Sequence, residues 1–149
     1  MIDVENLVLD TVINGVHTVH ADLDVSKGFI EETAIYPCIV VREVNNVPLK
    51  RTNTESCAEN YTTLIYQVDV YSDKAGEQRS ECRSLLSLVD EYMVGMGFYR
   101  TYMSEALNIK RSVFRQYTRY SVIVDKGVTT VTGEGNDQVT TTTFHTYRG

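Results

Sequence analysis

His17, His20 and Asp22, in the run HTVHAD, are the nearest approach this 149-residue sequence makes to a metal site. An i, i+3 pair shares a face in a helix but points to opposite faces in a strand. No third and fourth ligand follows at a recognisable spacing, so the expectation is a polar surface loop. Asp22 and Asp24 are paired carboxylates. DLD without a later glycine and glutamate is no calcium loop, and solvated acids are expected there.

The nucleophile candidates are three cysteines, Cys38, Cys57 and Cys82, spaced 19 and 25 residues apart. None forms a CxxC pair, which leaves neither a zinc site nor a disulfide framework indicated. Cys38 lies in the apolar run YPCIVVREV, where burial makes a thiol inert, and Cys82 reads as a small core residue. Cys57 sits in a polar stretch with no histidine near it in sequence, so a free surface thiol is expected. The chain holds no GxGxxG, Walker loop or GxSxG, and GEG at 133–135 is a turn. No catalytic residue, metal or cofactor is assigned, and an enzyme is not expected.

Arg115 and Arg119 are four residues apart on a predicted strand, with Tyr117 between them, so all three project from one face. One reading pairs the arginines with carboxylates such as Asp69 or Glu105 on neighbouring strands, or exposes them singly. The other makes them intersubunit contacts, since arginine and tyrosine are favoured at interface hot spots. Lys50 and Arg51 sit at the tip of a long polar loop, 45–60, the kind of segment that carries binding work.

The elements that must position these residues follow from periodicity. Val4, Leu7, Val8, Val12 and Ile13 recur at helical spacing, predicting a helix over 3–15 with Asp3 and Glu5 at its dipole-favoured first turn. A loop over 16–35 carries a short strand near Val19. Strands are predicted over 36–44 and 62–71, the first entered at Pro37 as an edge or entry point. In the second, Leu64, Tyr66, Val68 and Val70 share one face and Thr63, Ile65, Gln67, Asp69 and Tyr71 the other. A long helix over 74–96 shows the stripe Cys82, Leu85, Leu86, Val89, Met93 and Met96, and Gly97 ends it. Strands over 98–107 and 112–125 form a hairpin across 108–111. Beyond 127, eight threonines surround a TGEGND turn. The stretches 128–132 and 139–147 are able to pair, though a lone two-stranded hairpin is marginal in water.

The order α–β–β–α–β–β gives an α+β fold: an antiparallel sheet of about four strands against a long helix and an N-terminal helix. A split βαβ around the long helix is expected. Residues 1–126 are the core, and 127–149 are a threonine-rich C-terminal arm expected to reach a neighbouring subunit.

Composition bounds the rest. Length and a 42% hydrophobic share suit one folded domain. Twenty acids against 14 bases give a formal charge of −6, which argues against a surface built to hold nucleic acid. No run approaches the length of a membrane span, and MIDVENLVLD lacks the features of a signal peptide. A soluble, intracellular protein is expected.

The run ENYTTLIYQVDVYSDKAGEQRSECRSLLSLVDEYMVGMGFYRT, continued by SVFRQYTRYSVIVDKG with Phe114-Arg115, Arg119-Tyr120 and Val124-Asp125, resembles the tail terminator (tail completion) proteins of long-tailed bacteriophages. A short N-terminal helix followed by YPCIVVREVNN and a polar loop extends the likeness over residues 1–127. The threonine-rich arm departs from it. The resemblance implies a structural virion protein of the tail and neck, assembled in the host cytoplasm. Such a protein forms a hexameric ring on the last ring of the tail tube, stops its growth and meets the head-tail connector or stopper protein. Its contact residues would be Lys50 and Arg51 toward tube or connector, Arg115, Tyr117 and Arg119 toward neighbours or tube, and the arm 128–147 toward neighbours. DNA would pass through an acid-lined lumen without specific binding. A head-completion or stopper protein, a tail tube protein, and a small-molecule-binding α+β domain are the alternatives.

Overall fold

In the computed structural model, which describes residues 1–28, 35–49, 61–106, 112–133 and 135–147, two helices pack on one face of a single main sheet. Helix α1 (Glu5–His17) opens where Asp3 Oδ1 accepts a hydrogen bond from the Glu5 amide at 3.0 Å, an acid at the positive end of the helix. It runs two residues past Gly15, the expected stop. Gly15 instead lies under Tyr92, where a Cβ would come within 2.5 Å of the ring, so its lack of a side chain lets the helices approach.

Strand β1 (Asp24–Lys27) follows and pairs parallel with β2 (Cys38–Pro48). The expected strand near Val19 is absent, since Val19 lies in the exposed turn after α1. The sheet is therefore mixed and six-stranded against an expectation of about four antiparallel strands, β1 being one addition and a short strand near the C-terminus the other. β2 also outruns its predicted end at Val44. A bulge between Glu43 and Asn45 absorbs one residue, and the ladder continues to Pro48 opposite Thr62. Asn46 anchors this extension, donating to the Ile2 carbonyl at 2.9 Å and accepting from Thr62 Oγ1. The first four residues of the predicted 45–60 loop are thus strand, and 50–60 lie outside the described residues.

Strand β3 (Tyr61–Ser72), helix α2 (Gln78–Gly95), β4 (Tyr99–Ala106) and β5 (Phe114–Asp125) complete the core. The strand order β1-β2-β3-β5-β4 places β5 between β3 and β4 and antiparallel to both, which makes β3–α2–β4 the expected split βαβ. The stripe of α2, Cys82, Leu85, Leu86, Val89 and Met93, is buried against Leu64, Tyr66, Val68, Val70, Tyr120 and Val122. Each such aliphatic side chain contributes on the order of 1.5–3 kcal/mol relative to exposure. The chain leaves α2 through Gly97 at φ +100°, with the Phe98 amide bonded to the Met93 carbonyl.

Beyond β5, strands β6 (Val128–Thr132) and β7 (Val139–Thr143) pair in a sheet of their own, with a 3-10 turn at Gly135–Asp137 before β7. The chain then returns: β8 (Thr146–Tyr147) pairs with β5 at Ile123 and Val124, inside the main sheet. The predicted arm is therefore a hairpin held at both ends by the core.

Candidate interaction surface

Pleating sends alternate side chains of β3 and β5 away from the helices, and the strand register sorts them into rows. One row is Arg42, Gln67, Arg119 and Tyr102, from β2, β3, β5 and β4 in turn. The next is Val40, Asp69, Tyr117 and Ser104, and the third is Cys38, Tyr71, Arg115 and Ala106. Arg115, Tyr117 and Arg119 thus share one face, as their spacing requires. Lys50 and Arg51 lie outside the described residues.

Asp69 is the hub. It is 2% exposed, and it accepts from Arg115 Nε at 2.9 Å and Nη2 at 2.7 Å. Gln67 Nε2 donates to both its carboxylate oxygens, at 3.1 and 3.2 Å. The Gln67 carbonyl oxygen in turn accepts from Arg119 Nε at 3.0 Å. Arg42 closes in from the other side with Nε 3.9 Å from Asp69 Oδ2, too far for a hydrogen bond, and that buried nitrogen has no acceptor among the described residues. Burial disfavours the Arg115 cation, but the bonds and charge of Asp69 outweigh it and raise its pKa. The pairing of Arg115 with Asp69 is one of the two partners expected for it. The other, Glu105, faces the helices and pairs with Arg79 at 3.1 Å.

Tyrosines frame the arginines. The Arg115 guanidinium lies 5.7 Å from the Tyr71 ring centre and 5.8 Å from that of Tyr117. Tyr117 packs on Tyr102 at 5.7 Å, and Tyr61 meets Tyr147 of β8 edge-on at 5.6 Å. Exposed Val47, Tyr102 and Tyr147 mark the rim. Sequence reasoning missed Arg42, Gln67 and Tyr102 as members of this surface. Their signal is register, which a single chain reveals only once β2, β3, β5 and β4 are aligned.

The other candidates fall apart in space. His17 is occupied by the Leu23 carbonyl at 2.8 Å, while His20 and Asp22 are exposed in the turn. Among the described residues no three His, Cys, Asp or Glu side chains converge as metal ligands. Cys38 and Cys82 are buried thiols, each pushed up to about 12 mainly by burial, with Asp24 adding to the shift of Cys38 and Glu81 to that of Cys82. Cys57 lies outside the described residues. Among those residues no helix is long and apolar enough to cross a membrane.

No protein-family model matches this chain, and no curated protein matches it. What its surface can do follows from chemistry alone. The Arg115 guanidinium between two tyrosines, over a buried hydrogen-bond network, gives a rigid, half-apolar face suited to another protein surface.

Proposed function

We propose that this chain is a structural virion subunit, a tail terminator, that assembles into a hexameric ring on the end of a phage tail tube. There it halts tube growth and joins the tail to the head connector or stopper protein, and it performs no catalysis. The sequence resemblance over residues 1–127 motivates the proposal. The observation that carries it furthest is the arginine–tyrosine face around Asp69, with both helices on the opposite side of the sheet. A ring subunit needs a rigid body with one face for a neighbour, and here buried Asp69 and Gln67 fix the contact side chains in place. The β6–β7 hairpin offers a second contact, because an extended strand adds to a neighbour's sheet through main-chain hydrogen bonds. Particles would carry the protein at the neck, with DNA passing through the lumen.

The test is the tail-length distribution in lysates of the encoding phage with this gene deleted, measured by negative-stain microscopy. Over-long tails without heads are expected. Normal-length tails beside DNA-filled heads would assign the protein to the head side of the joint instead. Normal infectious particles would reject a structural role.

A further inference from the structure

The cationic row on the outer face has a charge that the rest of the chain complements. Arg42, Arg115 and Arg119 against Asp69 make this cluster +2, so the remainder of a chain of formal charge −6 carries −8. Asp69 is consumed by Arg115 and Gln67. Arg119, exposed, has among the described residues only the neutral Gln67 as a hydrogen-bond acceptor for its Nε. The Arg42 side chain is 37% exposed, while its Nε is buried, 3.9 Å from Asp69 Oδ2 and without a hydrogen-bond acceptor among the described residues. Two guanidiniums thus reach the surface in one row across β2, β3 and β5; among the described residues Arg119 has no carboxylate bonded to it, and Arg42 stands only at ion-pair distance from the Asp69 it shares with Arg115. At the far corners of the same face stand Asp24, opposite Cys38, and Asp125, which His145 engages.

We propose that the Arg42–Arg119 row docks on a carboxylate-bearing surface of a second copy of this chain. The contact is heterologous. Two copies of this face set against each other would oppose like charges, whereas the rest of a partner copy carries a net −8. A head-to-tail contact of this kind closes into a ring or runs on as a filament. Nucleic acid is the less favoured occupant, because a cluster of +2 with a carboxylate at its centre and tyrosines around it is poorly suited to a phosphate backbone. The inference rests on the ring proposed above and names its contact.

The experiment is mass photometry of the purified full-length protein across ionic strength, comparing wild type, R42E/R119E and the charge-matched R79E/R83E on α2. Circular dichroism melts check that each variant is folded. Wild type is expected to assemble, less so as salt rises, with R42E/R119E weakened tenfold or more and R79E/R83E unchanged. The milder R42Q/R119Q serves if the reversal fails to fold, and is expected to weaken assembly in the same direction. Folded R42-and-R119 variants that assemble like wild type would overturn this contact and leave the ring standing. A wild type that stays monomeric at all concentrations would overturn the ring as well. Duplex DNA bound by wild type and lost in R42E/R119E, with assembly unaffected, would give the row to nucleic acid.

Discussion

Asp69 on β3 accepts both its arginine hydrogen bonds from Arg115 on β5, although the register sets Asp69 opposite Tyr117 and Arg115 opposite Tyr71. The pair is diagonal, two residues out of step, and the guanidinium crosses between the Tyr71 and Tyr117 rings to reach the carboxylate. Diagonal neighbours on a sheet remain within reach of long side chains. This one contact turns a row of surface arginines into a fixed array.

Removing the carboxylate should therefore cost more than a surface ion pair would. Asp69→Ala leaves the Gln67 amide and the Arg115 cation without their acceptor. Breaking a buried pair costs about 3–5 kcal/mol, and we expect ~3 kcal/mol because the Arg115 side chain is 26% exposed. That corresponds to a melting point lower by ~6–12 °C at this chain length. Arg115→Ala alone should cost less, and the double variant less than the sum, with a coupling of ~1–3 kcal/mol in a thermodynamic cycle. Additive losses would show that the pair does not act as a unit.

Stability should fall on the alkaline side. Burial raises the Cys38 and Cys82 thiols to about 12, and it raises Tyr66 and Tyr120 as well, with Glu43 and Asp90 adding their charge. A group whose pKa is higher when folded stabilises the protein fully below its unfolded pKa, near 8.5 for a thiol and 10 for a phenol. That contribution is lost as pH rises toward the folded value. The urea midpoint is expected to stay level from pH 7 to 8 and to drop steadily from pH 9 to 12. In the same window, alkylation mapped by mass spectrometry should leave Cys38 and Cys82 unmodified until the protein unfolds. Rapid labelling of either thiol at pH 8.5 in the native protein would contradict the burial argument.

The elements with strong local signals were legible in the sequence: the α2 stripe, the alternation of β3, and the strand β5 with its two arginines. Each is written in one run of residues with the period of its own backbone. β1 was not legible, because DVSK has no alternation and is a strand only through its parallel ladder with β2. The extension of β2 through VNNVP was hidden for a related reason. Two asparagines and a proline argue for a turn locally, while the Asn46 side chain and the bulge at Val44 overrule that in space. At the surface, Arg115, Tyr117 and Arg119 were visible as a spacing on one strand. Arg42 and Tyr102 join them only across strands, so no spacing within the sequence marks them.

Gly97 should tolerate no side chain. Its φ of +100° lies in the region that disfavours residues with a Cβ, and a Cβ there would collide with Thr146 of β8. Gly97→Ala is expected to cost ~2 kcal/mol through backbone strain and this clash. Thr146→Ala in the same chain should recover only part of the loss, since the strained φ and the Thr146 Cβ position both remain. Hydrogen exchange at 145–147 should quicken in G97A, reporting that β8 has been pushed from β5. Unchanged exchange there would mean that the helix end, rather than the strand, absorbs the substitution.

The hairpin should be removable without unfolding the core, because both its ends are tied to one carboxylate. Asp125 Oδ1 accepts from the Gly127 amide at 2.9 Å and from the His145 amide at 3.0 Å, and Oδ2 meets His145 Nδ1 at 2.9 Å. Partial burial raises the Asp125 pKa, but the bonds from His145 and Gly127 outweigh it and hold the carboxyl below its usual range. The tie is therefore complete above the ordinary aspartate value near 4 and is lost as pH falls below it. Replacing residues 128–143 with a short Gly-Ser linker keeps Asp125, His145 and β8, and the melting point should stay within a few degrees of wild type. If the hairpin reaches a neighbour, assembly of this shortened chain is lost while its monomer remains folded. Asp125→Ala should act differently, freeing the base so that proteolysis begins at 126–145 in a chain that otherwise stays intact. A shortened chain that still assembles would leave the neighbour contact to the arginine row alone.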